Sequence, residues 1–391
     1  MTIRYICWQP LLTDHQAYTY DALRDMAGGR LSVNVGRVHD SVRAAQGWVN
    51  TGGGDLTKQQ IPEKAWRAWA REQLDLYPDA IHLFGSPFEQ RRQIQIMSMA
   101  CRLGRKVALI SEPFSPNGVG YLTDIGRMRG WLKASLRPLL YRFYGLHFAR
   151  KIHAVFGISP LACDQYAEMG VTRDRIFPFG YFVPGPVSSN SAPSIEGLPR
   201  TAPLRLVFVG ALIARKGLNV AIDAVSRLRN QGHEVTLDVF GPGEPADYPF
   251  DDGISYRGVI PFGHSGETIA RYDAMILPSV FDGWAVVVNE ALQAGVPVCC
   301  SDAVGAGAVV RSHAAGATFP VGDPDTLAAV IHQWIVDPAT LAAARVGAQK
   351  VAPLLEPRIA AQYIHQAIKA LEGYGARPDP AWYMWPRDTR A

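Results

Sequence analysis

The sequence predicts an α/β fold made of two domains, each with a doubly wound parallel sheet. Its 391 residues exceed one ordinary hydrophobic core and suit two domains of about 150 to 200 residues. Short β-branched runs alternate with amphipathic stretches of helical length, as in βαβ units. Residues 183–203, VPGPVSSNSAPSIEGLPRTAP, are rich in Pro, Ser and Gly, which is typical of a linker. The expected organisation is an N-terminal domain 1–183, a linker 184–203, a C-terminal domain 204–355, and a final helix and tail 356–391.

The elements follow in order along the chain. The first half has apolar runs that predict strands at 3–9, 31–38, 80–85, 106–112 and 153–159. Helices are expected over 14–27, 62–76, 88–104, 128–149 and 160–169. The second half has predicted strands at 204–212, 235–241, 254–260, 274–280 and 296–302, with helices at 216–230, 266–273 and from about Ala285 to Gly295. Sheets of this kind bind ligands at the carboxyl ends of their strands, so we expect the two domains to face a cleft.

Composition excludes several classes of protein. An apolar share of 48% and a charged share of 19% describe a globular chain. No run approaches the roughly 18 apolar residues of a membrane span, and the N-terminus lacks the pattern of a signal peptide. The five cysteines form no CxxC pair, so a reducing cytoplasm is expected. A net charge of +4 is too small to suggest nucleic acid as a partner.

The stretch FVGALIARKGLNVAIDAV (208–225) predicts a strand, a loop with Gly210, and then a helix opened by Arg215-Lys216 and Gly217. A helix N-terminus offers unpaired backbone N–H groups to a phosphate, and the two cations would add charge beside it. The alternative is a plain helix start with both cations solvated. The loop matches neither G-x-G-x-x-G nor a P-loop, which disfavours a nicotinamide or Walker-type ATP site.

The stretch FDGWAVVVNEALQAG (281–295) has the same strand-loop-helix layout. Asp282 stands at the mouth of the loop, where Gly283 allows close approach of backbone to a ligand. Glu290 lies about one and a half turns into the helix, and mostly apolar or small residues share its face. Partial burial is therefore expected for Glu290. The alternative makes Asp282 a helix cap and Glu290 an exposed residue.

Taken in order, these motifs resemble the family 4 glycosyltransferases, which are retaining enzymes with the GT-B fold of two Rossmann-like domains. The resemblance rests on FVGALIARKG, the FGPG turn, SYRGVI and LPSVFDGWAVVVNEALQAGVPV, and less specifically on AVFGISPLACDQYAEMGVTRDRIFPFGYF. It implies that the last helix crosses back to the first domain. It also implies a nucleotide-sugar donor, UDP- or GDP-linked, with no cofactor.

The resemblance assigns roles to residues of the C-terminal domain. Glu290 would bind the ribose hydroxyls, Asp282 the transferred sugar, and Arg215 and Lys216 the departing diphosphate. Asp282 departs from the family pattern, in which glutamate is usual. The remaining donor-site residues implied by the resemblance, largely through their backbone, are Gly210, Gly241, Gly243, Val259, Ile260, Gly283, Trp284 and Ala285.

The first domain departs further from the pattern, because many relatives carry a Gly-Gly loop where this chain has WQPLLTDHQAYTYDAL (8–23). Thr13 or Asp14 can cap the following helix, and His15 would then stand in its first turn. We predict that His15 is a catalytic residue, as are Asp282, Arg215 and Lys216. His15 is also predicted to bind the acceptor. Glu112, at the end of KVALISE, is a second candidate for the acceptor, and an ordinary loop role is its alternative.

The implied reaction is metal-independent transfer of a hexose to a glycan or lipid-linked acceptor. Retention lets the leaving diphosphate help to take the acceptor's proton, so no fixed protein nucleophile is required. The chain's one Asp-x-Asp, Asp323 and Asp325, is expected to start a helix instead of binding a metal. The alternatives are a GT-B sugar phosphorylase or epimerase, for which no signature is present, or a catalytically dead module that binds nucleotide sugars.

A basic segment, 126–151, holds seven Lys or Arg residues and no acid. Apolar residues recur there at helical spacing, and Pro138 is expected to kink the helix. Such a stretch can lie on an anionic membrane, although an ordinary core stripe with solvated arginines is the alternative. The resemblance favours the membrane, and thus a cytoplasmic protein held peripherally on the inner face of the plasma membrane. In the aromatic tail, Trp382 and Trp385 are expected to pack instead of binding sugar.

Overall fold

The computed structural model describes residues 3–37, 56–116, 127–185, 203–261 and 263–386, without the side chains of 127–134. Contacts divide the chain into two compact units. Unit 1 comprises Met1–Asn117, Met128–Val183 and Pro357–Ala391, and unit 2 comprises Gly118–Arg127 and Pro184–Glu356. Most of the predicted linker lies outside the described residues.

Unit 1 is built on a parallel sheet. Its strands are β1 (Tyr5–Leu11), β2 (Leu31–Arg37), β3 (Lys58–Gln60), β4 (Ile81–Gly85), β5 (Lys106–Ser111), β6 (Ile152–Ile158) and β7 (Ile176–Phe179). They pair in parallel in the order β3-β2-β1-β4-β5-β6-β7. Every residue of β4 is buried, as expected for a strand covered on both faces of a parallel sheet.

The helices of unit 1 bury one face each. They are α1 (Asp14–Met26), α2 (Trp66–Leu76), α3 (Arg91–Arg102), α4 (Arg127–Phe148) and α5 (Pro160–Glu168). In α3 the buried residues are Gln93, Ile96, Met97 and Ala100, which fall on one stripe at 3.6 residues per turn. Helix α4 continues through Pro138, so the proline does not end it.

Unit 2 is a second parallel α/β sheet. Its strands are β8 (Leu204–Val209), β9 (Val235–Phe240), β10 (Ile254–Tyr256), β11 (Ala274–Leu277), β12 (Val298–Ser301) and β13 (Gly316–Phe319). Its helices are α6 (Leu218–Asn230), α7 (Ser265–Ile269), α8 (Val286–Gln293), α9 (Gly307–Ser312), α10 (Pro324–Val336) and α11 (Pro338–Val351). The strand order is β10-β9-β8-β11-β12-β13. The doubly wound α/β class predicted from the sequence is confirmed in both units.

The chain order of the strands reverses at one place in each sheet, between β1 and β4 in unit 1 and between β8 and β11 in unit 2. Loops that leave the carboxyl ends of the strands on either side of such a point diverge to opposite faces of the sheet. The gap between them is where open α/β sheets bind ligands. In unit 2 the flanking loops are 210–217 and 278–285, the two loops that the sequence singled out.

The last helix, α12 (Pro357–Leu371), groups with unit 1. The Tyr5 hydroxyl lies 3.0 Å from His365 Nδ1 of this helix. Beyond it, Trp382 and Trp385 are buried, and the Tyr383 hydroxyl donates to the Phe179 carbonyl at 2.9 Å. The two tryptophans therefore pack within the protein, as predicted.

No single helix within the described residues is both long and apolar enough to cross a bilayer. A bent pair, Pro324–Val336 with Pro338–Leu355, meets the length and composition criteria only when combined, and the two parts meet at 102°.

Candidate functional site

The loop after β8 is held against the end of β11. Residues Ala214–Lys216 form a 3-10 turn, and Gly217 is the N-cap of α6 with φ of 68°. A Cβ on Gly217 would lie 2.1 Å from the Pro278 carbonyl oxygen, so glycine is required both for the backbone conformation and for the close approach. The Val280 N–H donates to the Arg215 carbonyl at 2.8 Å. The two loops at the reversal point are therefore fixed to each other.

This contact brings Arg215, Lys216 and Asp282 together. Lys216 Nζ donates to Asp282 Oδ2 at 2.6 Å, and Arg215 Nη1 lies 3.7 Å from the same oxygen. The side chains of Lys216 and Asp282 are only 14% and 12% exposed. Arg215 also donates to the Phe281 carbonyl at 3.0 Å. The alternative of two solvated cations at a helix start is therefore wrong, since both cations converge on one carboxylate.

The structure also corrects the alternative role of Asp282 as a helix cap. Helix α8 begins at Val286 and not at Ala285, and its N-cap is Ala285. The Asp282 carboxylate lies three residues before that cap and is engaged by Lys216. It is therefore an ion-pair partner at the loop mouth.

The loop that carries Asp282 is pinned by backbone hydrogen bonds to the segment after β12. The Asp282 N–H donates to the Ala303 carbonyl at 3.1 Å, and the Gly305 N–H donates to the Asp282 carbonyl at 3.0 Å. The Trp284 side chain is buried, and its Nε1 donates to Asn289 Oδ1 at 3.0 Å. The indole thus anchors the loop from inside.

Ala285 holds an unusual backbone conformation at the start of α8, with φ of 75° and ψ of 83°. A positive φ is costly for any residue with a Cβ, by about 1 to 3 kcal/mol. The conformation turns the chain from the Asp282 loop into the helix that carries Glu290. Backbone strain is therefore present between the two acidic residues of the candidate site.

Glu290 is partly buried on α8, as the sequence predicted. Burial raises the pKa of its carboxyl from 4.5 to about 7, and a hydrogen bond with Ser265 offsets part of that rise in pKa. Ser265 is the first residue of α7, a contact that the sequence did not indicate. Burial removes hydration from this carboxyl, and a ligand that donates hydrogen bonds to it would stabilise its ionised form.

The glycines after β8, β9 and β10 form a layer of close backbone contacts. A Cβ on Gly241 would lie 1.8 Å from the Gly210 carbonyl oxygen, and the Gly241 N–H donates to the Gly258 carbonyl at 2.9 Å. Gly243 pairs with Leu212 in an isolated bridge. The layer lies at the carboxyl ends of three adjacent strands. Val259 and Ile260 follow β10 at its edge, and Val259 is 50% exposed, an apolar surface suited to one face of a flat base.

His15 lies in unit 1, in the first turn of α1. Thr13 is the N-cap of this helix, and its backbone N–H donates to Gln16 Oε1 at 3.3 Å. His15 is buried, with Nε2 3.0 Å from Thr13 Oγ1. Its ring packs edge-on against Tyr181, with 4.3 Å between the ring centroids. Thr13 and Tyr181 thus fix the orientation of the imidazole.

Glu112 follows β5 and joins the same group through Tyr181, whose hydroxyl donates to Glu112 Oε1 at 2.6 Å. The structure therefore links the two predicted acceptor residues, His15 and Glu112, through a tyrosine that the sequence reasoning missed. A small pocket lies here, lined by His15, Gln16, Thr19, Tyr20, Ile110, Phe179, Gly180 and Tyr181. A signal that could have indicated Tyr181 is its place two residues after the apolar run 176–179.

Across the part of the chain that the structure describes, no group of three or more His, Cys, Asp or Glu side chains is arranged to hold a metal ion. Asp323 caps α10 by accepting from the N–H groups of Asp325 and Thr326 at 3.0 and 2.9 Å. Asp325 pairs with Arg227. The Asp-x-Asp therefore starts a helix, as predicted.

The chain is similar to known proteins in the region of this site. Residues 203–337, which include every donor-site residue named above, match the family model described as glycosyl transferases group 1.

Curated relatives resemble the chain over part of their length. A glycogen synthase of Mycobacterium tuberculosis is 27% identical over 230 residues, covering 56% of this chain and 54% of that protein. The amylovoran biosynthesis glycosyltransferase AmsK of Erwinia amylovora is 33% identical over 147 residues, covering 33% of this chain and 35% of that protein. The chain spans about half the length of the first of these relatives and about a third of the second.

Solved structures show the same fold at low sequence identity. Anabaena Alr3699/HepE, in complex with UDP and glucose, has a TM-score of 0.65 at 13% identity, covering 94% of this chain and 100% of that chain. The lipopolysaccharide outer core galactosyltransferase WaaB has a TM-score of 0.66 at 14% identity, covering 94% and 99%. These likenesses show the fold, and the fold is GT-B, as the resemblance implied.

Proposed function

We propose that this chain, whose residues 203–337 belong to the glycosyl transferases group 1 family and which has the GT-B fold, is a retaining glycosyltransferase. It transfers a hexose from a nucleotide-diphosphate sugar to a glycan or lipid-linked acceptor. The observation that carries the proposal is the convergence of Arg215 and Lys216 on Asp282 at the point where the strand order of unit 2 reverses.

The two cations suit a diphosphate leaving group. Transfer breaks the bond between the anomeric carbon and a diphosphate oxygen, so negative charge develops on the departing group. Fixed cations in a partly dry site stabilise that charge without rearranging at the moment of reaction. Lys216 and Arg215 lie 2.6 and 3.7 Å from the Asp282 carboxylate, and a bound diphosphate would supply the negative charge in its place. We propose that this charge neutralisation makes the reaction independent of a divalent metal.

The acidic residues suit the hydroxyl-bearing parts of the donor. Asp282 stands beside the cations and would accept hydrogen bonds from the transferred sugar. Glu290, whose carboxyl loses hydration through burial, would accept hydrogen bonds from the ribose. The glycine layer with Val259 and Ile260 would border the base. The UDP held by Anabaena HepE makes UDP the first nucleotide to test, with GDP the second.

The acceptor side of the reaction is assigned to unit 1. The acceptor hydroxyl attacks the anomeric carbon on the face that the diphosphate leaves, and its proton passes to an oxygen of the departing diphosphate. His15, held by Thr13 and Tyr181, and Glu112 would hydrogen-bond the acceptor and orient its hydroxyl. Neither residue forms a covalent intermediate in this scheme.

The expected place of action is the cytoplasm, at the inner face of the plasma membrane. Support comes from the basic segment 126–151, which is free of acidic residues, and from five cysteines that all lie within the described residues without forming a disulfide. A membrane surface would bring the enzyme to a lipid-linked acceptor.

A panel of UDP-, GDP- and ADP-linked sugars tests the proposal. A thermal-shift screen with the free nucleotides identifies the base, and release of nucleoside diphosphate from the matching sugars then measures donor use. Arg215→Met should lower release, whereas Arg229→Met, on the far end of α6, is the matched control and should leave it unchanged. Release of sugar 1-phosphate in the presence of inorganic phosphate, or an epimerised sugar nucleotide, would contradict the proposal.

A further inference from the structure

Helix α4 presents an exposed apolar face over its described residues 135–148. Five large apolar side chains on it are 42 to 87% exposed, namely Leu136, Leu139, Leu140, Phe143 and Leu146. Their spacing of three and four residues places all five on one side of the helix. Scattered exposed leucines are ordinary, but a continuous stripe of this size marks an interaction surface. We define these five side chains as the α4 stripe.

The α4 stripe is not the face by which the helix is attached to unit 1. Tyr141, Gly145 and Phe148 form the opposite face and are buried. Tyr141 lies 4.6 Å from Phe114 between ring centroids, and a Cβ on Gly145 would lie 1.8 Å from the Met169 carbonyl oxygen. This packing fixes the rotation of the helix, so the stripe points away from the core. The alternative that the apolar stripe is ordinary core is therefore wrong for these five residues.

The charges around the stripe identify what would cover it. At 100° per residue, Arg137 and Arg142 lie on either side of the stripe, and Arg150 and Lys151 follow the end of the helix. Segment 126–151 contains no Asp or Glu. A second copy of the chain meeting this face would bring like charges together, which is unfavourable. An anionic lipid surface would instead accept the leucines below its headgroups and pair with the arginines.

We infer that the α4 stripe is the membrane-docking face of this protein, with Leu139 and Leu146 inserted and with Arg137 and Arg142 at the level of anionic headgroups. The helix would lie in the plane of the membrane, and the described part of the stripe spans about 15 Å of its axis at 1.5 Å per residue. The inference deepens the proposed action at a membrane surface, on which it rests, but it does not depend on the transfer reaction.

Vesicle sedimentation of the full chain tests the inference. Wild type is expected to bind phosphatidylcholine vesicles that contain phosphatidylglycerol, less so at high salt, and hardly at all without the anionic lipid. The double substitution Leu139→Ser with Leu146→Ser should weaken binding by about tenfold or more. Leu76→Ser is the matched control, since Leu76 is 57% exposed on α2 of the same unit, and it should bind like wild type.

Charge is tested separately. Arg142→Gln should weaken binding by about fivefold, as for one basic residue near an anionic surface, while Arg102→Gln on α3 should not. A thermal shift by nucleoside diphosphate that equals that of wild type shows that each variant is folded. It also separates failure of membrane docking from failure of the donor site.

Two results would overturn the inference. The first is absence of binding to phosphatidylglycerol vesicles at low salt. The second is a leucine double variant that binds vesicles like wild type. Analytical ultracentrifugation tests the alternative that a second copy of the chain covers the stripe. A concentration-dependent dimer that disappears in the double variant would support this alternative and would overturn the inference of membrane docking.

Discussion

Replacing Glu290 by Gln is expected to stabilise the protein at alkaline pH and to weaken its binding of nucleotide. Burial raises the pKa of Glu290, an acidic residue of the proposed donor site, from 4.5 to about 7. Gln has nearly the same shape and can keep the hydrogen bond with Ser265, but it carries no charge to dehydrate. The substitution therefore separates the stability that the protein loses by burying the carboxylate from the contribution of the carboxylate to nucleotide binding.

The size of the effect follows from the two pKa values. Between about pH 4.5 and pH 7 the folded protein binds a proton that the unfolded chain has released, so wild-type stability falls as the pH rises. Above pH 7 burial of the ionised Glu290 carboxylate costs the folded protein about 3.5 kcal/mol, at about 1.4 kcal/mol per pKa unit. Glu290→Gln should therefore unfold at higher urea than wild type at about pH 8, and most of that difference should vanish at about pH 5.

Nucleotide binding should respond in the opposite sense. Ribose hydroxyls donate best to the ionised carboxyl, so wild-type affinity should rise through about pH 7, whereas the affinity of Glu290→Gln should be lower and flat. Urea unfolding and calorimetric titration with nucleoside diphosphate measure the two effects. Glu234→Gln, an exposed residue before β9, is the control and should change neither.

The reasoning would be refuted by a stability difference that is the same at acidic and alkaline pH. That result would mean that the Glu290 carboxyl is not dehydrated in the folded protein. Wild-type nucleotide affinity that does not change with pH would refute the assignment of Glu290 to the ribose, whatever the result on stability.

The remaining predictions concern other parts of the two candidate sites. Lys216→Met should weaken the binding of nucleoside diphosphate by about 2 kcal/mol and leave the binding of the nucleoside unchanged, because only the diphosphate pairs with the lysine charge. Equal losses of affinity for both ligands in calorimetry would contradict this. Tyr181→Phe keeps the ring against His15 and removes the hydrogen bond to Glu112, so kcat/KM for the acceptor should fall by about 1 kcal/mol in transition-state terms while nucleotide affinity stays the same; a large fall in Tm instead would indicate a structural role. Ala285→Gly should stabilise unit 2 by about 1 kcal/mol in urea unfolding by relieving the positive φ, and a loss of stability would show that the alanine methyl outweighs the strain. Turnover in EDTA should equal turnover with Mg²⁺, and complete loss that Mg²⁺ or Mn²⁺ restores would overturn metal independence.

The sequence predicted those parts of the fold that carry a strong hydrophobic period. The predicted strands 80–85 and 106–112 are observed as Ile81–Gly85 and Lys106–Ser111. Strand β3, Lys58–Gln60, was missed because it is polar, exposed and paired only at the sheet edge. Strand β7 was missed because Pro178 lies within it, and a proline in a short apolar run argues against a strand.

The candidate site likewise has a part that the sequence predicted and a part that it did not. Local motifs, whose spacing is visible in one sequence, contain Arg215, Lys216, Asp282 and Glu290. The contacts made by Tyr181 and Ser265 join residues far apart along the chain, so no local pattern predicts them. The left-handed conformation of Ala285 was also beyond prediction, because an alanine gives no sign of positive φ.

The ion pair between Lys216 and Asp282 has a consequence for which anions the site would bind. The Asp282 carboxylate already supplies the negative charge that the cations require. A simple anion such as chloride or inorganic phosphate must therefore displace this carboxylate, which lies 2.6 Å from the Lys216 ammonium group. A nucleotide sugar differs from such anions because it carries hydroxyls as well as charge. Its hydroxyls would donate hydrogen bonds to the Asp282 carboxylate while its diphosphate pairs with Lys216. Both residues of the broken ion pair would therefore gain a new partner. The site would then select a ligand that offers both negative charge and hydroxyls, because charge alone does not replace both interactions of the ion pair.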